Sequence, residues 1–411
     1  MNYVSLKFSV MGIAIGCLAI TPMSGQSETQ EKSDDKQVWE TPRTPNGRPD
    51  LQGYWTTQTF TPLERPDRLV GKEFFTEEEA TELNEQLTAE GVDPSMRGRE
   101  ILTIGNRDER ERYKYQGNRG SEERHHIHYD NEIWLRTRVP KGLSSRRTSL
   151  VTDPSDGLIP PLIPEAEARQ AAANEARRHP SAFDSHEVRP LSERCILWGH
   201  ESPPMLPPSY NDIHQIFQTA DHLVVFTELG NNPPRIISLD GRPHISINMH
   251  QFSGDSRGRW EGDTLVVETT NFNNLQRGGD VMPSHGGLYG NNHAHHHPGT
   301  GEELTMVERF TRTGPDTIDY SYTVTDPSVY VAPFTAINTW HIDRNNPDVY
   351  EYTCHEHNYG MVGLLKGGRT DEQISMDEAA REVNDRKPQF AAEWEQTEAW
   401  EAEQNLSLIH I

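Results

Sequence analysis

The sequence predicts a mainly β protein: an antiparallel barrel or strongly curved sheet, wrapped by long loops and a few helices. Three observations carry this expectation. Short runs rich in Val, Ile, Thr, Tyr and Phe crowd the second half of the chain: QIFQT (215–219), HLVVFTEL (222–229), RIISL (235–239), DTLVVETTNF (263–272), LTMVERFTRT (304–313), DTIDYSYTVT (316–325), INTWHID (337–343) and VYEYTCHE (349–356). Gly262-Asp263, Gly314-Pro315-Asp316 and Asn345-Asn346-Pro347 stand between such runs as hairpin turns by composition. The close spacing with sharp turns fits an antiparallel sheet and not βαβ units.

Ahead of these strands the chain reads differently. Residues 1–26 have the form of an export signal: Lys7, the apolar run Phe8–Ile20, then the small residues Ser24 and Gly25. Ala14-Ile15-Gly16 before Cys17 is a weak lipobox, which makes an outer-membrane lipoprotein the alternative to a free periplasmic or extracellular protein. Residues 27–41 are a polar, disordered tether by composition. A wrapping segment at 42–210 follows. Pro42, Pro45 and Pro49 with Asn46-Gly47 dictate extended and turn structure, a strap with Leu51, Tyr54 and Trp55 as anchors. Helices are expected near 76–90, where Thr76 and Glu79 form a capping box, and over 164–178, where Pro164 takes the first helical position. Thr148–Thr152 is one short strand. The β core spans 211–368, and acidic helices over 369–405 include one opening on Ser375-x-x-Glu378 and carrying Trp394 and Trp400. The last six residues, Leu406–Ile411, break from that acidic composition and match one reading frame of a transposon end used in preparing sequencing libraries, so they are expected to be a sequence artefact.

Composition excludes several function classes. The 411 residues carry a net charge of −24, and an acidic surface neither neutralises phosphates nor docks on anionic lipid. No later stretch approaches a membrane span. No Gly-x-Ser-x-Gly elbow, P-loop, dinucleotide fingerprint or Cys-x-x-Cys-His occurs, which disfavours a serine hydrolase, NTPase, nicotinamide enzyme or c-type cytochrome. Besides Cys17 only Cys195 and Cys354 are present, a disulfide candidate in an oxidising compartment, with two free thiols as the alternative.

The strings PRTPNGRPDLQGYW, RRTSLVTDPSDGLIPPLIPEA, LSERCI, YNDIHQIFQTADHLVV, GDSRGRWEGDTLVVETTNF, VERFTR and YEYTCHEHNYGM resemble a large group of secreted bacterial proteins over about residues 42–365. The resemblance implies export and a shared fold; it implies no activity. The stretch GGDVMPSHGGLYGNNHAHHHPGTG departs from the group's pattern as an insertion. Separately, Trp260-x-Gly262-Asp263-x-Leu265 resembles the opening strand motif of small-ligand barrels of the lipocalin type, over a short stretch only.

Four places could carry chemistry. His293, His295, His296 and His297, with His285 upstream, could bind a divalent transition metal, the one cofactor this sequence suggests. Flanking glycines make an adventitious chelator the competing reading. In VYEYTCHEHNYGM, His355 or His357 beside Glu351 or Glu356 could form a general acid/base pair or two metal ligands; His355 and Glu356 are the catalytic candidates, and Asn358 is a ligand-binding candidate. The bland alternative is a barrel-end strand. Asp255, Arg257 and Arg259 sit in what reads as a Gly-rich turn, and Glu268 on the next strand is either solvent-facing or an interior carboxylate needing a partner, for which Arg309 is the candidate. His200, Glu201, Tyr210, Asp212 and His214 lie on a proline-rich loop, and Glu228 and Arg235 flank a hairpin as a rim pair or ligand contacts. Three functions remain open: a small-molecule binder or enzyme using a barrel pocket, a metal-dependent hydrolase or lyase using the CHEHNY region, and a structural or assembly protein of the cell envelope. Whether it is an enzyme, and its oligomeric state, do not follow from sequence.

Overall fold

In a computed structural model, the described residues are 39–57, 59–87, 142–178, 183–189, 191–197, 200–207, 213–228, 233–273, 302–344, 349, 352–356 and 358–408. Their strands are β1 (Gly53–Thr56), β2 (Val151–Asp153), β3 (Ile213–Gln218), β4 (His222–Thr227), β5 (Arg235–Ser238), β6 (Asp255–Glu261), β7 (Thr264–Thr270), β8 (Thr305–Gly314), β9 (Thr317–Thr325) and β10 (Phe334–Ile342). The helices are α1 (Glu77–Leu87), α2 (Pro164–Arg178) and α3 (Tyr359–Leu408).

The strands close into a barrel. From β3 to β10 each pairs with the next, β1 pairs with β3, and the ring shuts where Trp55 faces Ile342 and Thr56 faces His341 across β1 and β10. Nine strands form this ring, and β2 lies against the other part of the β10 edge, through Thr335↔Asp153 and Ala336↔Val151. The ladders are antiparallel except at β5–β6, which is parallel and rests on one pairing, Ser238↔Arg257. That seam is tight: a Cβ on Gly258 would meet Leu239 Cδ2 at 2.5 Å. Glycine here serves close strand packing and not a turn.

Period-two alternation decides what fills the ring. Met306 and Phe310 on β8, Ile318, Tyr320, Tyr322 and Val324 on β9, and Phe334, Ala336 and Trp340 on β10 are all buried and share one core. Burying a large side chain of this kind contributes about 1.5–3 kcal/mol.

Both ends are closed by chain. At one end, residues 43–52 cross three hairpins. Arg43 Nη2 holds both Asp263 oxygens, at 2.9 and 2.8 Å, on the β6–β7 turn. Leu51 N donates to Gln218 Oε1 at 2.9 Å on the β3–β4 hairpin, and Arg312 Nη1 donates to Asp50 O at 2.6 Å beside β9. Trp55 fills the floor behind them, its Nε1 donating to Leu51 O, with the Arg312 guanidinium 5.5 Å from its ring centroid. At the other end the buried run Glu201–Met205 enters the barrel mouth, and the Met205 amide reaches Tyr320 OH at 3.1 Å.

Several expectations change in detail. The strap at 42–55 does cross the surface, but its last residues become β1, part of the wall. Asp255–Glu261 is strand β6, not a Gly-rich turn. VYEYTCHE was expected as a strand; its described residues are not one, and Cys354–Glu356 form a turn. The cause is the Cys195–Cys354 disulfide, with Cα atoms 5.6 Å apart, together with Asn358, which accepts from Met361 N at 3.2 Å and so caps α3. One helix therefore begins at Tyr359, and Ser375 lies inside it. Between residues 361 and 372, Met361, Leu364, Leu365, Gly368 and Glu372 are half-buried, whereas every described residue from Gln373 to Asp385 is exposed. Leu406, Ser407 and Leu408 continue the helix. The α1 capping box forms as the sequence predicts, Thr76 N donating to Glu79 Oε2 at 2.8 Å and Glu79 N to Thr76 Oγ1 at 3.2 Å. Among the described residues no helix is long and apolar enough to cross a membrane. Residues 1–38, with the expected signal and Cys17, lie outside the described residues.

Candidate functional site

The same alternation that turns apolar residues inward also turns polar ones inward. Glu308 lies between Met306 and Phe310 on β8 and is fully buried. Its partner is Arg235, the first residue of β5. Arg235 Nη1 donates to Glu308 Oε1 at 2.8 Å, and Nη2 pairs with Glu308 Oε2. The guanidinium also donates through Nε to Ser256 Oγ at 3.2 Å and through Nη2 to Thr269 Oγ1 at 3.1 Å. Tyr320 OH donates to Glu308 Oε1 at 2.8 Å. One side chain thus reaches from β5 to β6, β7 and β8, across the seam where the backbone ladder is reduced to a single pairing. Burial opposes the charged guanidinium, but the Glu308 carboxylate and its hydrogen bonds outweigh it, and the Arg235 pKa is raised. Burial first, and then the Glu308 charge, push the Tyr320 pKa well up. The cluster is a saturated ion pair.

The opposite wall is built from β1, β3, β9 and β10. His214 on β3 stacks on Trp340 of β10, with ring centroids 5.1 Å apart. Its Nδ1 is hydrogen-bonded to Thr227 Oγ1 at 3.0 Å. Burial, then the nearby His200 and Arg235 charges, lower its pKa to about 3, so the ring is neutral at ordinary pH. Asn338, opposite Tyr320 in the β9–β10 ladder, donates Nδ2 to Thr57 O at 3.0 Å. Here the hydrogen bonding is incomplete. His214 Nε2, Trp340 Nε1, Asn338 Oδ1, Tyr322 OH and Thr57 Oγ1 are buried and have no hydrogen-bond partner among the described residues. Buried polar atoms are rarely left so, and these five, four on β3, β9 and β10 and one on Thr57 directly after β1, define the candidate site.

His200, Glu201 and Glu228 are buried at the same barrel mouth. His200 Nε2 lies 3.1 Å from Glu228 O, and Glu228 N donates to Ile213 O at 2.8 Å. Other candidates scatter. Glu228 and Arg235 are buried and not a rim pair: Arg235 turns to Glu308. Glu268 points outward, 3.6 Å from His244 Nε2, while Asp255 holds His244 Nδ1 at 2.8 Å. Arg309 also points outward and pairs with Glu261 at 2.8 Å, so the suggested Glu268–Arg309 pair does not form. Parity keeps both out of the lumen, where Glu308 is the inward residue of β8; on the outer face Arg309 stands opposite Val266 and not Glu268, and its guanidinium is taken by Glu261. His355 and Glu356 are exposed on the disulfide turn. Asn358 also donates to Glu193 O at 2.8 Å, a packing role beside its cap. Glu351, Tyr210, Asp212, His285, His293, His295, His296, His297 and His357 lie outside the described residues. Among the described residues no group of three or more His, Cys, Asp or Glu is placed to hold a metal ion.

Sequence reasoning passed over Glu308, Tyr320, Asn338 and Trp340. The signal for Glu308 was present: a carboxylate in register with Leu304, Met306 and Phe310. Fold and site define a closed, capped β-barrel whose packed apolar interior encloses a few buried polar groups. No protein-family model, curated protein or solved structure matches the chain.

Proposed function

We propose that this is an exported protein that binds, and in that way presents or transforms, a small molecule inside the barrel, against the wall formed by β1, β3, β9 and β10. One observation carries the reading: the five buried polar atoms of Thr57, His214, Tyr322, Asn338 and Trp340 that lack a hydrogen-bond partner among the described residues. A buried donor or acceptor left unmade costs about 1–3 kcal/mol, and a ligand that completes it recovers that cost. Barrel mouths are common small-molecule sites, and the loop at Glu201–Met205 is the segment a ligand would pass. Export is supported by the Cys195–Cys354 disulfide, by the form of residues 1–26, and by the resemblance to secreted bacterial proteins. The test is a fragment screen by ligand-observed NMR on the wild-type protein and on Trp340→Phe. The reading expects at least one fragment whose binding weakens about tenfold in the variant, the effect of one hydrogen bond. A screen in which every binder ignores the variant overturns it.

A second reading, an envelope assembly role, draws on α3. Its described residues from Gln373 to Asp385 are exposed, Ile374 and Met376 among them, and a helix of this kind gains most of its stability by packing on something. Sedimentation of wild type against Ile374→Glu with Met376→Glu tests it: a self-assembled species that the double variant dissolves supports the role, and a monomer in both removes self-assembly.

A further inference from the structure

Resting on the lumen reading above, we infer that the ligand is an uncharged molecule presenting a hydrogen-bond acceptor beside a hydrogen-bond donor, as on the edge of a cyclic amide. Two of the unpartnered atoms have fixed polarity. Trp340 Nε1–H donates only. Asn338 is fixed by its other end: Nδ2 donates to the Thr57 carbonyl at 3.0 Å, and a flipped amide would set oxygen against oxygen, so the free end is the acceptor Oδ1. These residues stand two apart on β10 and share the lumen face, their Cα atoms roughly 7 Å apart along the strand. A ligand lying along them accepts from Trp340 and donates to Asn338. The hydroxyls of Tyr322 and Thr57 adapt to either role, as does the imidazole Nε2 of His214 through its choice of tautomer.

Charge is excluded by what surrounds this wall. Inside the barrel Arg235 and Glu308 engage each other, Tyr320, Ser256 and Thr269, and the further buried carboxylates, Glu201 and Glu228, lie at the mouth. At the His214 ring positive charge is disfavoured by burial first and then by the His200 and Arg235 charges, so a cationic ligand gains no partner there. An anion meets the Asn338 carbonyl oxygen and finds a neutral His214 in place of a cation. Burying an unpaired charge in such surroundings is far costlier than burying a neutral polar group. The aromatic faces of Trp340, Tyr320 and Tyr322 add apolar contact for a small ring.

The experiment compares four probes of similar size: δ-valerolactam, N-methyl-δ-valerolactam, piperidine (a cation at neutral pH) and cyclopentanecarboxylate. Binding is read by ligand-observed NMR on wild type, Trp340→Phe and Tyr322→Phe, with circular dichroism confirming that both variants fold. The expected result is that the lactam binds wild type, weakens about tenfold on N-methylation and about tenfold in Trp340→Phe, while neither charged probe competes. A charged probe that matches the lactam and is lost in Trp340→Phe overturns the neutral-ligand inference and leaves the lumen reading standing. Lactam binding that ignores N-methylation also overturns the inference. If no probe binds, the donor-acceptor assignment is wrong, and the broader fragment screen separately decides whether the lumen binds anything.

Discussion

Tyr320 and Tyr322 stand two residues apart on β9, both turned into the lumen and both buried. The Tyr320 hydroxyl donates to Glu308 and accepts from the Met205 amide. The Tyr322 hydroxyl meets no hydrogen-bonding group among the described residues. The contrast extends to the two walls. On the β5–β8 side, a charged pair and three hydroxyl residues satisfy one another and bridge the seam left by the parallel β5–β6 contact. On the β10–β1–β3 side, neutral polar groups of similar burial are left incomplete. The first wall has its hydrogen bonds completed and the second does not, and burial alone does not tell them apart.

The comparison can be broken most forcefully at Arg235. Replacing it with Met leaves Glu308 buried without its cation, and unfolding in urea is expected to show a loss of about 3–5 kcal/mol. Adding Glu308→Leu should recover most of that loss; a double variant as unstable as the single one would show that the seam depends on the ions and not on filled volume. The next effect is acid sensitivity. His214 has a folded pKa near 3 against an ordinary 6.5, so the unfolded state binds the extra proton between these values. The stability contributed is therefore complete above pH 6.5 and declines as pH falls toward 3. Denaturant midpoints measured across this window should flatten in His214→Gln; an unchanged slope would place the proton uptake elsewhere. Smaller still, Tyr320→Phe is expected to cost about 1.5–3 kcal/mol, since it removes a bond to a charged group and strands an amide. Tyr322→Phe is expected within about 0.5 kcal/mol of wild type or slightly above it. Equal losses at the two tyrosines, measured by thermal unfolding, would erase the distinction between the walls.

Much of the barrel was legible. Alternation in LTMVERFTRT and DTIDYSYTVT marks wall strands, and Gly262-Asp263 and Pro315-Asp316 sit at the tips of β6–β7 and β8–β9. The glycines of GDSRGRW misled, because Gly258 reads as a turn residue but serves a close strand contact. The tyrosines of VYEYTCHE misled in the other direction, since alternation suggests a strand and a disulfide imposes a turn. The site was less legible than the fold. Parity alone places Glu308 inside, yet its partner Arg235 lies three strands away in the sheet, on a strand of four residues. Strand order and closure, which decide such pairings, are properties of the whole ring and leave no local trace.

The disulfide has a topological consequence. Strands β3 to β10 all lie between Cys195 and Cys354, 159 residues apart in sequence. The sulfur bridge turns those eight staves into a covalent hoop. A single protease cut at any hairpin tip would open the hoop into a line while shedding no fragment. The two remaining staves, β1 and β2, come from chain ahead of the hoop, and β1 supplies the contact that shuts the barrel. The bolt is thus carried on a detachable arm: one cut between residues 56 and 151 frees β1 from its covalent anchor while the other eight stay tied together.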